Sequence, residues 1–358
     1  MKILYVITGL GQGGAERVVC DLADAMFMKG HEVKIAYLTG EVITQPTNKE
    51  IELLNIGLTN IITLPKVYLA LSKIVRNFKP DIVHAHMVHA NILTRLVRLI
   101  TPMTKLICTA HSSNEGGAVR MMSYRLTNRL ANLTTNVSST AVAAFEAMHG
   151  APKNSMLTVY NGVDFTNFIY SADAKEIIVK ELNLASDTKI ILAVGRFNAS
   201  KNYFNLLNAI NIVKDQLNIS FVLLIAGDGE LRSEIEKEII NLDINNNVLL
   251  LGRRDDIPLL MSACDVFVLS SNYEGLPTVL IEAMGCQAQV VSTNVSGVHE
   301  IIGKYGKIVP IKNSMALADG IKESLQAIGR NTLGCKYVKN KFDLGLISDE
   351  WLNIYNEI

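Results

Sequence analysis

Cysteine pairing is the first thing missing from this sequence. Its five cysteines, Cys20, Cys108, Cys264, Cys286 and Cys335, include no CxxC pair and no metal-ligand spacing. Scattering of that kind fits reduced thiols in a cytosolic protein and argues against a disulfide framework. No uninterrupted apolar run reaches the roughly 20 residues needed to cross a bilayer. The chain is therefore expected to be soluble and cytoplasmic, free to touch the inner face of the cell membrane peripherally. Aromatic residues are only 6%, too few among the cations to suggest a nucleic-acid partner. Internal repeats and low-complexity segments are absent. Residues 1–8 carry one positive charge among apolar neighbours, and a first β-strand explains them better than a signal peptide.

What is present points to two packed domains. At 358 residues the chain exceeds what one hydrophobic core usually serves. Its 49% hydrophobic and 19% charged residues suit well-buried cores. Net charge is zero, yet residues 1–165 carry +5 and the remainder −5, so the halves are expected to meet different partners. Short β-branched runs at residues 2–8, 33–38, 81–85 and 105–110 alternate with helical patterns at 15–29 and 87–100. The alternation restarts at 190–194, 220–225, 248–251, 266–269 and 289–292, with helical stretches at 202–213 and 231–242. It predicts an α/β chain with two Rossmann-like, doubly wound domains facing a central cleft. The expected boundaries are 1–165 and 166–340, with a C-terminal helix at 341–358 packing back on the first domain. Ligands of such sheets bind beyond the carboxyl ends of the strands, and the informative residues fall there.

Residues 9–14, Gly-Leu-Gly-Gln-Gly-Gly, follow the first strand and open a helix. Gly9, Gly11 and Gly14 match GxGxxG, with Glu41 just beyond the second strand. A dinucleotide-dependent oxidoreductase is therefore one open reading, and a plain tight turn is the bland one. Every functional reading shares close approach of backbone N–H groups to an anion at a helix N-terminus. Glu16 does not belong in a pyrophosphate cradle but suits hydrogen bonds to sugar or acceptor hydroxyls.

The most specific stretch is residues 270–284, SSNYEGLPTVLIEAM. A buried strand ends at Leu269, a loop carries Glu274 and Gly275, and Pro277 suits the first turn of a helix. Glu282 falls inside that otherwise apolar helix. Two carboxylates so placed can each accept several hydrogen bonds and grip two different polyols.

With this stretch the chain resembles the retaining glycosyltransferases of family 4, which have the GT-B fold; the spacing of Glu274 and Glu282 is that family's Glu-x7-Glu signature. Residues 13–16 (GGAE), 161–164 (NGVD), Gly195-Arg196 and Lys201-Asn202 extend the match. So do residues 227–229 (GDG), Leu251-Gly252, Gly297 and residues 300–302 (EII), in order over almost the whole chain. Residues 227–232 and 274–282 look especially like the N-acetylgalactosamine transferases that extend polyprenyl-diphosphate glycans.

The resemblance implies a hexosyltransferase that takes a sugar from a nucleoside diphosphate, a UDP-sugar such as UDP-GalNAc or UDP-GlcNAc. The implied acceptor is a lipid-linked oligosaccharide of a bacterial surface polysaccharide, O-antigen (lipopolysaccharide) or capsule. It further implies that Arg196 and Lys201 neutralise the donor diphosphate, Glu282 holds the ribose, and Glu274 holds the donor sugar. His111 would stand beside the transferred sugar, and Gly13 and Gly14 would let the first loop close over the phosphates. Backbone groups of Gly275, Leu276, Pro277 and Thr278 would complete the cradle. Physically, charge builds on a departing phosphate oxygen, where a planar guanidinium and a mobile ammonium are the expected large catalytic effect.

Many sugar transferases hold a divalent cation with an Asp-x-Asp triplet, which is absent here, so no metal and no cofactor is expected. His84, His86 and His89 tempt a metal reading, but no fourth ligand is evident. Two departures stand out. Gln287-Ala288-Gln289 occupies the family's Gly-x-Pro, and His299 stands where proline is common. An epimerase, a phosphorylase or a non-catalytic binding protein on the same scaffold stays open beside the oxidoreductase.

Between residues 95 and 129 the cations are Arg95, Arg98, Lys105, Arg120, Arg125 and Arg129, with Glu115 the sole acid. A helix through residues 120–126 would carry basic and apolar side chains together, a surface suited to anionic lipid. Acceptor contacts are expected at Glu16, His86, Arg120 and Arg125.

Overall fold

In the computed structural model, which describes residues 1–358 apart from the side chain of Ile61, the continuous aliphatic runs become central strands. Strands of a parallel sheet are buried on both faces, so an unbroken apolar run suits them. The chain divides into two compact units. One comprises Met1–Asp164 and Phe342–Ile358, the other Phe165–Lys341.

The first unit holds β1 (Lys2–Ile7), β2 (Glu32–Tyr37), β3 (Glu52–Asn55), β4 (Ile82–His86), β5 (Lys105–Ala110), β6 (Leu133–Asn136) and β7 (Met156–Thr158). They form one sheet in the order β3-β2-β1-β4-β5-β6-β7. Winding therefore reverses between β1 and β4, the switch point at which such sheets bind ligands. Helices α1 (Gly14–Met28), α2 (Leu64–Phe78), α3 (Val88–Val97), α4 (Ala118–Thr127) and α5 (Ser139–Ala147) lie between the strands.

The second unit repeats the plan with β8 (Lys189–Val194), β9 (Phe221–Ala226), β10 (Val248–Gly252), β11 (Val266–Leu269), β12 (Gln289–Thr293) and β13 (Lys307–Val309). Their order is β10-β9-β8-β11-β12-β13, reversing between β8 and β11. Helices are α6 (Ala174–Glu181), α7 (Tyr203–Gln216), α8 (Arg232–Asn241) and α9 (Ile257–Ala263). They continue with α10 (Thr278–Gly285), α11 (Val298–Ile302), α12 (Ser314–Leu325) and α13 (Thr332–Phe342). The last helix, α14 (Leu344–Glu357), belongs to the first unit, where Trp351 and Tyr355 join the core with Tyr5, Ile7 and Val19.

Half of the expected basic surface is engaged within the fold, one cation buried and two half-buried. Arg95 is fully buried on α3, donating to the carbonyl of Tyr124, the hydroxyls of Thr127 and Thr134, and Cys108 Sγ. Its guanidinium also lies 5.1 Å from the centre of the Tyr124 ring. Such saturation is what makes a buried cation tolerable. Arg98 turns to the carbonyls of Leu130 and Met103, and Lys105 to that of Tyr355. These three tie elements together; Arg120, Arg125 and Arg129 remain exposed. Among the described residues no helix is long and apolar enough to cross a membrane.

Candidate active site

In the second unit the loops after β8, β9 and β11 meet because backbone can pack on backbone. Gly227 has φ 148°, and a Cβ there would overlap the Gly195 carbonyl oxygen. The Gly-Asp-Gly stretch is thus a contact requirement that only glycine meets. The loops after β8 and β11 are then stapled together. Asn272 N–H donates to the Ser200 carbonyl at 2.7 Å, Ser270 Oγ to that of Lys201 at 2.8 Å, and Asn202 Nδ2 to Asn272 Oδ1 at 2.9 Å.

This stapling brings two of the expected site residues into contact. Lys201 Nζ donates to Glu274 Oε1 at 2.7 Å, and Ser271 Oγ donates to the same oxygen at 2.7 Å. The Lys201 and Glu274 side chains are only 19% and 17% exposed, so water screens their attraction less than at an open surface. Gly275, Leu276 and Pro277 are buried behind Glu274. Gly297, at φ 79°, lies so close that a Cβ would press on the Gly275 carbonyl and Leu276. Pro277 is the N-cap of α10 rather than its first residue, and Glu282 is half-buried on that helix.

Arg196 does not join this pair. It is exposed and bound to Glu230, with Nη2 3.1 Å from the carboxylate. The Glu230 carboxyl is held below its usual range by its own backbone N–H and by Arg196. Sequence reading missed Glu230, Ser271 and Asn272; the polar run 270–274 beside Glu274 was the available signal for the last two.

In the first unit, Gly13 is the N-cap of α1 with no side-chain cap, and Gly13 and Gly14 are both exposed. Glu16 folds back over this turn, its carboxylate where a Cβ on Gly13 would sit. Burial raises its pKa, opposed by its own backbone N–H. A dinucleotide pyrophosphate at this helix start would meet that acid.

His84 lies in the middle of β4, His86 ends it, and His111 directly follows β5. His84 is fully buried, with Nδ1 2.7 Å from Tyr355 Oη and Nε2 2.7 Å from Thr109 Oγ1, so neither nitrogen is free for a metal. His86 stacks on it with ring centres 4.0 Å apart, and its Nδ1 is 3.0 Å from His111 Nε2. Burial drives the pKa of His84 and His86 well down and that of His111 to about 4, leaving all three neutral near pH 7. The backbone N–H of His111 donates to Glu115 Oε1 at 2.9 Å.

On α4, Met121 and Tyr124 enter the core while Val119, Met122 and Leu126 are 81%, 53% and 76% exposed. Their spacing places them on one face, beside the exposed Arg125. Arg120 donates to the Glu115 carbonyl at 3.1 Å.

Residues 12–167 match the family described as Glycosyltransferase Family 4, and residues 174–328 match Glycosyl transferases group 1. The chain belongs to glycosyltransferase family 4. This family 4 glycosyltransferase is 28% identical over 343 residues to N-acetylgalactosamine-N,N'-diacetylbacillosaminyl-diphospho-undecaprenol 4-alpha-N-acetylgalactosaminyltransferase of Campylobacter jejuni, covering 91% of this chain and 90% of that one. A second C. jejuni relative is GalNAc-alpha-(1->4)-GalNAc-alpha-(1->3)-diNAcBac-PP-undecaprenol alpha-1,4-N-acetyl-D-galactosaminyltransferase. It is 27% identical over 376 residues, covering 100% and 99%. In fold the enzyme is similar to HepE of Anabaena, solved in complex with UDP-glucose, with TM-score 0.86, 20% identity and full coverage of both chains. Membership in this family removes the oxidoreductase reading.

Proposed function

We propose that this enzyme is a retaining hexosyltransferase that moves a sugar from a UDP-sugar to a polyprenyl-diphosphate-linked glycan during assembly of a bacterial surface polysaccharide. The observation that carries the reading is the half-enclosed Lys201–Glu274 pair beyond the β8/β11 switch point. The C. jejuni relatives, named for transfer to undecaprenol-diphosphate glycans, support the acceptor class. The HepE complex supports the donor class.

Glu274 receives the donor sugar. Its Oε1 already accepts from Lys201 and Ser271, which orients the carboxylate so that Oε2 can accept from sugar hydroxyls. Glu282 takes the ribose hydroxyls. As the bond from the anomeric carbon to the diphosphate breaks, negative charge builds on the leaving oxygen. Lys201 swings its ammonium from Glu274 to that oxygen, and Arg196 leaves its exposed Glu230 to do the same. N–H groups of Gly275, Leu276 and Thr278, around the start of α10, add donors to the phosphates, while Pro277 has none to give.

From the first unit, Glu16 is an acceptor contact, His111 stands beside the transferred sugar, and Gly13 and Gly14 let the first loop close over the phosphates, as the family resemblance implies. His86 is enclosed, at 1% exposure, so its influence runs through His111. The α4 stripe with Arg120, Arg125 and Arg129 rests on anionic lipid of the inner leaflet, where the acceptor resides.

A thermal-shift panel of UDP-, GDP- and dTDP-sugars tests the donor site, because a ligand selective for the native state raises the melting temperature. UDP-sugars are expected to give the shift, and Lys201→Ala and Glu282→Ala to lose it while remaining folded. A full shift in both variants would overturn the site assignment.

A further inference from the structure

We infer that His86 is a positioning residue that fixes the tautomer of His111, so that His111 meets the sugar as a hydrogen-bond donor through Nδ1. The inference rests on the placement of His111 proposed above. A neutral imidazole has one N–H and one bare nitrogen. Because His86 Nδ1 and His111 Nε2 are 3.0 Å apart, one proton lies between them, and only two arrangements are open.

If His111 supplied that proton, His86 would carry its own on Nε2, which is enclosed and faces no protein acceptor. If His86 supplies it from Nδ1, the enclosed Nε2 is only a bare lone pair. Orphaned buried N–H groups are rarer than under-used acceptors, so the second arrangement is the stable one. His86 has little freedom to turn away. Its ring is packed on His84, itself held by Thr109 and Tyr355, and lies 5.8 Å from the Tyr5 ring. The remaining proton of His111 is therefore on Nδ1, which makes no hydrogen bond among the described residues. Nδ1–H can donate to a sugar oxygen but cannot take a proton from the acceptor. His111 acts as an orienting donor and not as a base.

Long-range 1H–15N spectra of the full-length protein labelled with 15N-histidine test this directly. His111 is expected to show a protonated Nδ1 and a bare Nε2; the reverse pattern would overturn the inference. His86→Leu is expected to release His111 into a mixture containing the Nε2–H form. In that variant kcat for UDP release from UDP-GalNAc, with an undecaprenyl-diphosphate glycan as acceptor, should fall on the order of tenfold while the donor KM stays within about twofold. His86→Asn, whose amide N–H takes the place of Nδ1–H, should restore both. An unchanged His111 tautomer in His86→Leu would also overturn the inference. If that variant does not fold, the wild-type spectrum alone decides. Full activity in His111→Ala would remove His111 from the reaction, while the spectra would still report whether His86 sets its tautomer.

Discussion

Lys201 and Glu274 belong to loops that follow different strands, yet their charged atoms stand 2.7 Å apart in the second unit. In the mechanism proposed above, the pair holds the carboxylate in place and keeps the ammonium ready for a stronger anion. Lys201→Ala should lower kcat/KM by roughly 10–100-fold, the size of a lost charge-assisted hydrogen bond of about 1.5–3 kcal/mol. Denaturant unfolding should move by no more than about 1 kcal/mol, since a partly solvated pair adds little net stability. Steady-state kinetics beside unfolding curves check both; activity within twofold of wild type would mean that Lys201 does not face the donor.

Gln287 explains one family departure. It follows α10 at φ 61°, with its N–H donating to the Met284 carbonyl, a left-handed helix-end position that favours glycine. Gln287→Gly should therefore stabilise the protein by about 1 kcal/mol. Equilibrium unfolding of the variant is the check, and a loss of stability would show that the Gln287 side chain matters more than its backbone strain.

Much of the fold was legible because central strands are continuous apolar runs, and β5 and β11 were bounded correctly from those runs alone. Of the four edge strands β3, β7, β10 and β13, three were not, β10 being the exception. Among them β3 is exposed or half-buried at every residue, and β7 and β13 have three residues each, too short for a pattern to emerge. Arg95 looked like a surface cation because its partners lie 13 to 39 residues away. Likewise the partner of His84 is Tyr355, 271 residues on. The Glu274–Glu282 spacing and Lys201 were readable locally; the Arg196–Glu230 pairing, which depends on Gly227 packing against Gly195, was not.

The buried histidines make stability depend on pH with a definite sign. His86 is pushed well below its ordinary pKa by burial, then by His84 and His111. On acidification the unfolded chain binds a proton first, near pH 6.5, while the native state does not. Stability from keeping His86 neutral is thus present above about pH 6.5 and is lost as pH falls below it. Burial raises the Glu115 pKa, which acts with the opposite sign but is common to both proteins compared. His86→Leu should therefore lose less stability than wild type between about pH 6.5 and 4.5, measured by urea unfolding. Parallel curves would deny the neutral buried state.

The α4 surface should bind membranes by combined charge and apolar area. Wild-type protein is expected to bind vesicles containing phosphatidylglycerol, less tightly at high salt. Replacing Arg120, Arg125 and Arg129 with Glu should abolish binding, at about 1 kcal/mol for each charge near the surface and more for reversal. Vesicle co-sedimentation is the check, and unchanged binding would discard α4 as the membrane face.

The most direct measurement is UDP release from UDP-GalNAc by the purified protein, with and without an undecaprenyl-diphosphate-linked glycan. Release is expected to depend on the acceptor, to produce a glycan one sugar longer, and to fall sharply in Glu274→Gln. Release at the same rate without acceptor, or undiminished in Glu274→Gln, would contradict transfer through this site.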